Sequence, residues 1–424
     1  MINFVGSCLR GKWPVVLSAT ILLLGLALGT QITGSVAGAW RLMGVPSMTP
    51  SFADTSLLTH AIECVQNGHD PYVDKTCDPW GRPYNYPPIW LELSRLSVGP
   101  ATTKIIGVVL AASTFAAATA ILSSGSPVSG ALILLSLLSP PILFGIERGN
   151  IDLLVFTLFV VGIAATSAAP PRVRTASQAF LIIALTMLKI YPVVAASIFL
   201  RKGRGWFLSI LVAAAAAGAF LWAAYGRIGP ILVNTPVNYW LSFGAAPLFI
   251  HLREAWVIPG PAITSAQPAL PGDIPDSGLI RWIASATALG WAFVLVLGRL
   301  YFFGSRHVFD GLLPTLKRGE TAGDIAVACL SVFIFCFLLG SNFNYRLIFL
   351  LGAMPVLLQH FERRPAVRTL LAPTAVVTLL WLSPLYWSYL NEVVDWLVFS
   401  GAVTWLAANL LLRRRLPMTI NSCA

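Results

Sequence analysis

Charge is scarce in this chain. Only 11% of its residues are Asp, Glu, Lys or Arg, where a soluble globular domain carries about 25%. Acids are scarcer than bases, 17 against 28. No glycine-rich phosphate loop or dinucleotide fingerprint is present, which disfavours nucleotide chemistry. No basic face with interleaved aromatics accompanies the net charge of +11, so nucleic acid is not an expected partner. No internal repeat is visible, which weakens the reading of two inverted halves moving a solute. The apolar stretch Val15–Gly29 lacks a small-residue cleavage site followed by a soluble domain. It therefore reads as a membrane span rather than a signal peptide.

What the chain has in abundance is apolar length. Hydrophobic residues make up 57% of it, and the mean hydropathy is +0.77. Runs long enough to cross about 30 Å of hydrocarbon recur throughout. Candidate spans are 13–31, 103–122, 129–146, 150–168, 206–225, 281–303, 323–340, 346–360, 367–388 and 395–412. A further segment, 177–200, is interrupted by Lys189 and Pro192. The expectation is an all-α polytopic membrane protein, one transmembrane domain over 1–424 with about 10–12 transmembrane or re-entrant helices. Two loops interrupt it, a large one at 32–102 and a second at 226–280 that is rich in Pro, Gly and Trp. The first should fold against the membrane face, because loops this long without function or structure are uncommon.

Orientation follows from Lys and Arg. With the N-terminus in the cytoplasm and 177–200 rising to Lys189–Pro192 and descending again, 17 of the 28 basic residues fall inside. They include Arg10/Lys12, Arg172/Arg174, Arg201/Lys202/Arg204, Arg306/Lys317/Arg318, Arg363/Arg364/Arg368 and Arg413–Arg415, and a single crossing at 177–200 would invert the pattern after it. Both termini are then cytoplasmic, both long loops lie outside, and the expected location is the plasma (inner) membrane. Broken helices at membrane depth persist only against protein or a water-filled cavity, so the break itself points to a site. In the first outer loop Cys64 and Cys77 are the expected disulfide. Cys8, Cys329, Cys336 and Cys423 read as small apolar fillers.

Polar residues gather at the outer span ends. Asp54 opens a helix expected over Ser51–Gln66, where it serves either as a base or, through Ser51-x-x-Asp54, as half of a capping box. Gly68–Tyr72 contains the turn former Asp70-Pro71. Tyr84, Tyr86 and Trp90 either stack on a sugar or form an interface belt. Glu147 and Arg148 precede Asn150 and Asp152, and either neutralise each other or serve the site. Lys189 stands at the break, and Tyr345 and Arg346 at a later outer end, where Arg346 is either a site residue or an interface anchor. No metal-ligand spacing is evident.

These motifs, in this order, resemble those of the polyprenol-phosphate-mannose-dependent mannosyltransferases of glycosyltransferase family 87, within the GT-C membrane superfamily. The resemblance rests on Asp54, Gly-x-Asp-Pro-Tyr (Gly68–Tyr72), Tyr-Pro-Pro (Tyr86–Pro88), Gly-Asn-x-Asp (Gly149–Asp152), Lys-x-Tyr-Pro (Lys189–Pro192) and Asn-Tyr-Arg-Leu (Asn344–Leu347). It implies a GT-C fold and transfer of a hexose, mannose first, from a polyprenyl-phosphate donor to a glycolipid or polysaccharide hydroxyl, with inversion. On that reading Asp54 is the catalytic base, and Lys189, Arg346 and Arg148 hold the donor phosphate. Asp70, Tyr72, Tyr86, Asn150, Asp152 and Tyr345 contact substrate. The expected partners are membrane lipid, donor and acceptor, with no cofactor and no metal strictly required. Another sugar, such as arabinofuranose or glucose, and a transporter or flippase are the alternatives.

Overall fold

The computed structural model describes residues 11–96, 98–201, 205–236, 241–257, 277–301, 314, 316, 320–382 and 388–410. Cys8, Cys423, Arg10, Lys202, Arg204, Arg306, Lys317, Arg318 and Arg413–Arg415 lie outside the described residues, as do 237–240 and 258–276 of the second loop. The protein is helical almost throughout. Helix α1 (Trp13–Thr33) starts on Pro14 and ends at Gly34, whose φ of 73° suits a residue without Cβ. The first loop contains α2 (Val36–Leu42) and α3 (Ala53–Gln66). Then come α4 (Thr103–Ile121), α5 (Pro127–Leu137), α6 (Pro140–Arg148), α7 (Ile151–Ala165), α8 (Pro171–Leu188) and α9 (Gly205–Ala223). The second loop supplies α10 (Ile228–Asn234) and α11 (Ala245–Val257), regular structure that its Pro- and Gly-rich composition does not announce. The remainder comprises α12 (Ser277–Tyr301), α13 (Thr321–Leu338), α14 (Met354–Arg363), α15 (Val367–Leu382) and α16 (Ser388–Leu410).

Among the described residues six helices are long and apolar enough to cross a membrane, or seven if α5 and α6, bent by 42°, form one span. Burial separates two layers. Only 22%, 17% and 11% of the apolar windows of α1, α9 and α12 are buried, whereas α13 reaches 67%. Side chains such as Leu28, Ile32, Trp222 and Trp282 stand exposed on the outer layer. Apolar faces of that extent suit lipid and not water. The chain is an all-α, multi-pass membrane protein in which α13 is the inner pillar.

Two 3-10 helices pack on that pillar, Tyr191–Arg201 and Asn344–Gly352. The first begins where Pro192 keeps Tyr191 out of α geometry. It folds back along α8. At about 2 Å rise per residue, its 11 residues cover a depth that would take an α-helix about 15. Arg201 therefore arrives at the start of α13, where it pairs with Asp324, while Lys189 stays at the other end. The reversal at Lys189 is the geometry that the charge pattern called for. Labelling tests its sidedness: cysteines at Glu92→Cys and Gly203→Cys should react from opposite faces, outer and cytoplasmic. Reaction from the same face would contradict the re-entrant topology.

The first loop is compact. A disulfide joins Cys64 at the end of α3 to Cys77, 13 positions later. Tyr84, Tyr86 and Trp90 are buried, so the interface-belt reading does not hold for them. Tyr72 packs edge-on against Tyr84 at 5.1 Å and Tyr84 lies tilted against Tyr86 at 5.8 Å, and Trp90 Nε1 donates to the Leu188 carbonyl at 3.1 Å. The loop is thereby pinned to the break in the membrane helix. Closing a loop of this size disfavours the unfolded chain by about 3 kcal/mol. Cys64→Ser should lower the melting temperature of the loop, read by hydrogen exchange at 64–86, and leave exchange in α13 unchanged. Equal exchange at 64–86 in Cys64→Ser and the wild type would assign the bridge no stabilising role. Cys329 and Cys336 are buried free thiols inside α13, as expected of fillers.

Candidate functional site

The site grows from Gly149-Asn150-Ile151-Asp152, the junction of α6 and α7. Gly149 ends α6 at φ 58°, and a Cβ there would lie 2.4 Å from Thr55 Oγ1. The junction therefore requires glycine on two counts. Asn150 caps α7 by accepting from the Asp152 N–H at 2.8 Å through Oδ1. That bond fixes the amide orientation, so Nδ2 is the atom that donates to Asp54 Oδ2, at 2.5 Å. One capping side chain thus ties the first loop to the membrane helices.

Asp54 does not cap its own helix. Helix α3 begins at Ala53, with Phe52 before it at φ 64°, and the Ser51-x-x-Asp54 capping box does not form. A left-handed conformation at a bulky residue costs about 1–3 kcal/mol. Its surroundings hold it there. The Phe52 N–H donates to the Glu147 carbonyl at 3.0 Å, its carbonyl accepts from Ser56 at 2.8 Å, and its ring fills the space left by Gly107. The bend turns the Asp54 carboxylate toward Asn150 and Arg82 instead of toward helix amides.

Arg82 and Asp78 are site residues that the sequence motifs do not contain. Arg82 donates through Nε and Nη2 to Asp78 at 3.0 and 2.9 Å, and through Nη2 to the Ala53 carbonyl at 2.6 Å. Its contact with Asp54 is longer, 3.3 Å. Burial works to lower the Arg82 pKa, but the Asp78 hydrogen bond and the charges of Asp54 and Asp78 outweigh it, and the guanidinium stays charged. Burial pushes the Tyr84 and Tyr86 phenols well above their ordinary range.

Asp152 is the hub of the other half. Its Oδ1 accepts from Lys189 Nζ and from the Tyr191 hydroxyl, the latter at 2.6 Å; its Oδ2 accepts from Arg346 Nε at 3.1 Å. Lys189 Nζ lies 3.5 Å from Asn150 Oδ1 and 5.2 Å from the Tyr86 ring centre. Arg346 rests over the Tyr191 ring at 5.3 Å, and its Nη1 donates to Asn342 Oδ1. Asn342 belongs to β2 (Asn342–Phe343), which pairs antiparallel with β1 (Ser242–Phe243) of the second loop. Both loops thus bear on the site.

The carboxylates divide by environment. Asp152 is 1% exposed in its side chain and engaged by two cations and a phenol. Asp54 is 15% exposed and held by the Asn150 amide and, at 3.3 Å, by the Arg82 guanidinium. Of these two carboxylates, Asp54 is the one that keeps both an opening and spare acceptor capacity. Read from the loop inward, Asp78, Arg82, Asp54, Asn150, Lys189, Asp152 and Arg346 form one continuous polar chain. No family model and no curated protein sequence matches the chain.

The remaining motif residues lie around this chain of contacts. Arg148 sits 3.3 Å from Glu147, at ion-pair distance, over the Phe144 ring at 4.9 Å, and donates to Met48 Sδ. Glu147 also accepts from Ser47 Oγ and the Met48 N–H at 2.9 and 3.0 Å, clamping the approach to Phe52. Tyr345 is buried, stacked on Phe343 and 5.7 Å from Phe144. Asp70 is not brought to Asp152; it pairs with Arg227 at 2.6 Å. The Tyr72 hydroxyl donates to the Tyr86 carbonyl at 2.6 Å, and Asn234 donates to the Tyr72 and Tyr84 carbonyls at 3.0 Å each. That turn joins the two loops. Among the described residues no three His, Cys, Asp or Glu side chains gather as a metal ligand set.

Proposed function

We propose that the protein is a membrane glycosyltransferase that moves a hexose, mannose first among candidates, from a polyprenyl-phosphate donor to an acceptor hydroxyl at the extracytoplasmic face. The observation that carries this reading is the Asn150 amide, which bridges a partly open carboxylate, Asp54, to a buried pair of cations, Lys189 and Arg346. Inverting transfer needs both at once. The acceptor oxygen bonds to the anomeric carbon as its proton passes to Asp54. The bond from that carbon to the phosphate oxygen breaks, and the phosphate leaves with an added negative charge. Lys189 and Arg346, only partly neutralised by Asp152, stabilise that charge. A polyprenyl tail stays in hydrocarbon while its head reaches the interface, which is a reason for such a site to sit at span ends. Arg148 is the third phosphate candidate, and Tyr86 and Tyr345 line the approach.

The test is stereochemical. Purified protein given an α- or β-linked polyprenyl-phosphate sugar and a glycolipid acceptor should yield a product of the opposite anomeric configuration. A product with retained configuration would overturn the base assignment.

The phosphate role makes a separate prediction. Lys189→Ala leaves Asp152 paired with Arg346 and Tyr191, so the variant should fold. Each of Lys189→Ala and Arg346→Ala removes a contact that strengthens as the phosphate departs, so turnover should fall together with donor affinity. Lys189→Arg should not fully rescue, because a planar fork replaces a point charge. Unchanged steady-state kinetics in both alanine variants would remove the assignment.

A transporter or flippase is the second reading, and one observation favours it: Glu392 and Asp395 are buried within the span α16. A transporter would move the lipid-linked sugar without breaking the anomeric bond.

A further inference from the structure

Helix α16 carries a group that the site above does not use. Asn391, Glu392 and Asp395 are 4%, 1% and 0% exposed. At spacings of three and four residues they share one helix face. Among the described residues neither carboxyl takes part in an ion pair, and both oxygens of Asp395, Oε2 of Glu392 and Oδ1 of Asn391 are buried without a hydrogen-bond partner. The neighbourhood is aromatic. Trp396 lies 5.2 Å from Phe337 and 6.3 Å from Phe249, and Phe337 stacks on Phe399 at 4.1 Å.

Four oxygens of this cluster are thus acceptors that no hydrogen-bond donor among the described residues reaches. Two ionised carboxylates side by side in an apolar interior, without a counter-charge, are strongly disfavoured. A cation must therefore be part of the folded state. A metal ion needs ligands from several directions, whereas these three come from two turns of one helix, and no third acid, histidine or cysteine joins them among the described residues. A proton needs only a lone pair. The packed elements bring these charged or titratable groups in the same half: His251 and Arg253 on α11, Arg281 on α12, Cys336 on α13, and Tyr191. None forms an ion pair with either carboxyl among the described residues.

We propose that Glu392 and Asp395, with Asn391, form a proton-binding site inside the membrane part of the protein, occupied at neutral pH and distinct from the Asp54–Asp152 site. Its occupancy bears on the end of α13: Trp396, next to Asp395, packs edge-on against Phe337, and Asn342, which orients Arg346, donates to the neighbouring Cys336 carbonyl. This inference does not depend on the sugar-transfer reading.

Infrared difference spectroscopy on the full-length protein in lipid tests it. Spectra of the wild type minus Glu392→Gln, and minus Asp395→Asn, should each show the C=O stretch of a neutral carboxylic acid at neutral pH. Beyond its midpoint the protonated-to-ionised ratio should fall about tenfold per pH unit. Sodium, potassium and calcium should leave the band unchanged. Both variants replace a neutral acid by a neutral amide of the same shape, so both should fold and melt like the wild type. Carboxylate bands at neutral pH in place of the acid band would overturn the proposal. So would conversion of the acid band by sodium or calcium, which would make this a metal-cation site.

Discussion

Asp54→Asn is expected to lower sugar transfer by about 100-fold or more, with expression, folding and donor binding near the wild-type level. The substitution keeps the shape of the side chain and an oxygen that accepts from Asn150 Nδ2, the 2.5 Å contact that places it. It removes the basicity that takes the acceptor proton. Its structural cost is small, because the helix-capping role that asparagine would preserve is not the one Asp54 performs. The nearest alternatives are poorer bases. Asp152 has its oxygens taken by Lys189, Tyr191 and Arg346, and Glu147 is enclosed against Ser47 and Met48. Initial rates at saturating donor decide the matter. A rate within a few-fold of wild type would remove Asp54 as the base.

Asp152→Ala should instead act on the fold. The substitution leaves Lys189, 9% exposed, and Arg346, 20% exposed, without their shared carboxylate. Removing one partner of a buried pair typically destabilises by about 3–5 kcal/mol, because the remaining charge is uncompensated. The cap of α7 survives, since the Asp152 backbone N–H still bonds to Asn150. The loss should therefore be local to the junction of α7, the Lys189 break and Arg346. Thermal unfolding in detergent with and without donor reads it: the variant should melt well below wild type and regain part of the difference when a phosphate headgroup supplies the missing anion. A melting temperature equal to that of wild type would mean that Asp152 does not hold the two cations.

Much of this architecture is legible in the sequence, for identifiable reasons. Long apolar runs locate six of the expected spans, or seven with the bent pair, among the described residues, because hydrocarbon admits little else; the expected spans 150–168, 346–360 and 367–388 hold shorter helices instead. Lys189 and Pro192 mark the helix break because a charge and a missing donor rarely interrupt a span without cause. Cys64 and Cys77 stand out in a loop with no other cysteine. What the sequence does not disclose depends on distant contacts. Arg82 sits in an unremarkable Trp-Gly-Arg-Pro stretch, and only folding carries it to Asp78 and Asp54. Asn150 reads as one letter of a motif, yet its two ends join a helix cap to the loop carboxylate. Asp70 and Tyr72 read as letters of one motif, and only folding brings Arg227 to the Asp70 carboxylate and Asn234 to the Tyr72 carbonyl. Glu392 looks like a polar residue outside a span because helical periodicity alone does not say which neighbours enclose it.

The proposed activity requires that this membrane site break one glycosyl bond and make another. The most direct measurement uses sided proteoliposomes and a radiolabelled polyprenyl-phosphate sugar, with wild type and Asp54→Asn compared. Label should move covalently to acceptor lipid, with release of polyprenyl phosphate, only when donor is presented on the extracytoplasmic face, and Asp54→Asn should lose this product. Label crossing the bilayer still attached to its polyprenyl phosphate, at equal rates in both proteins, would contradict it.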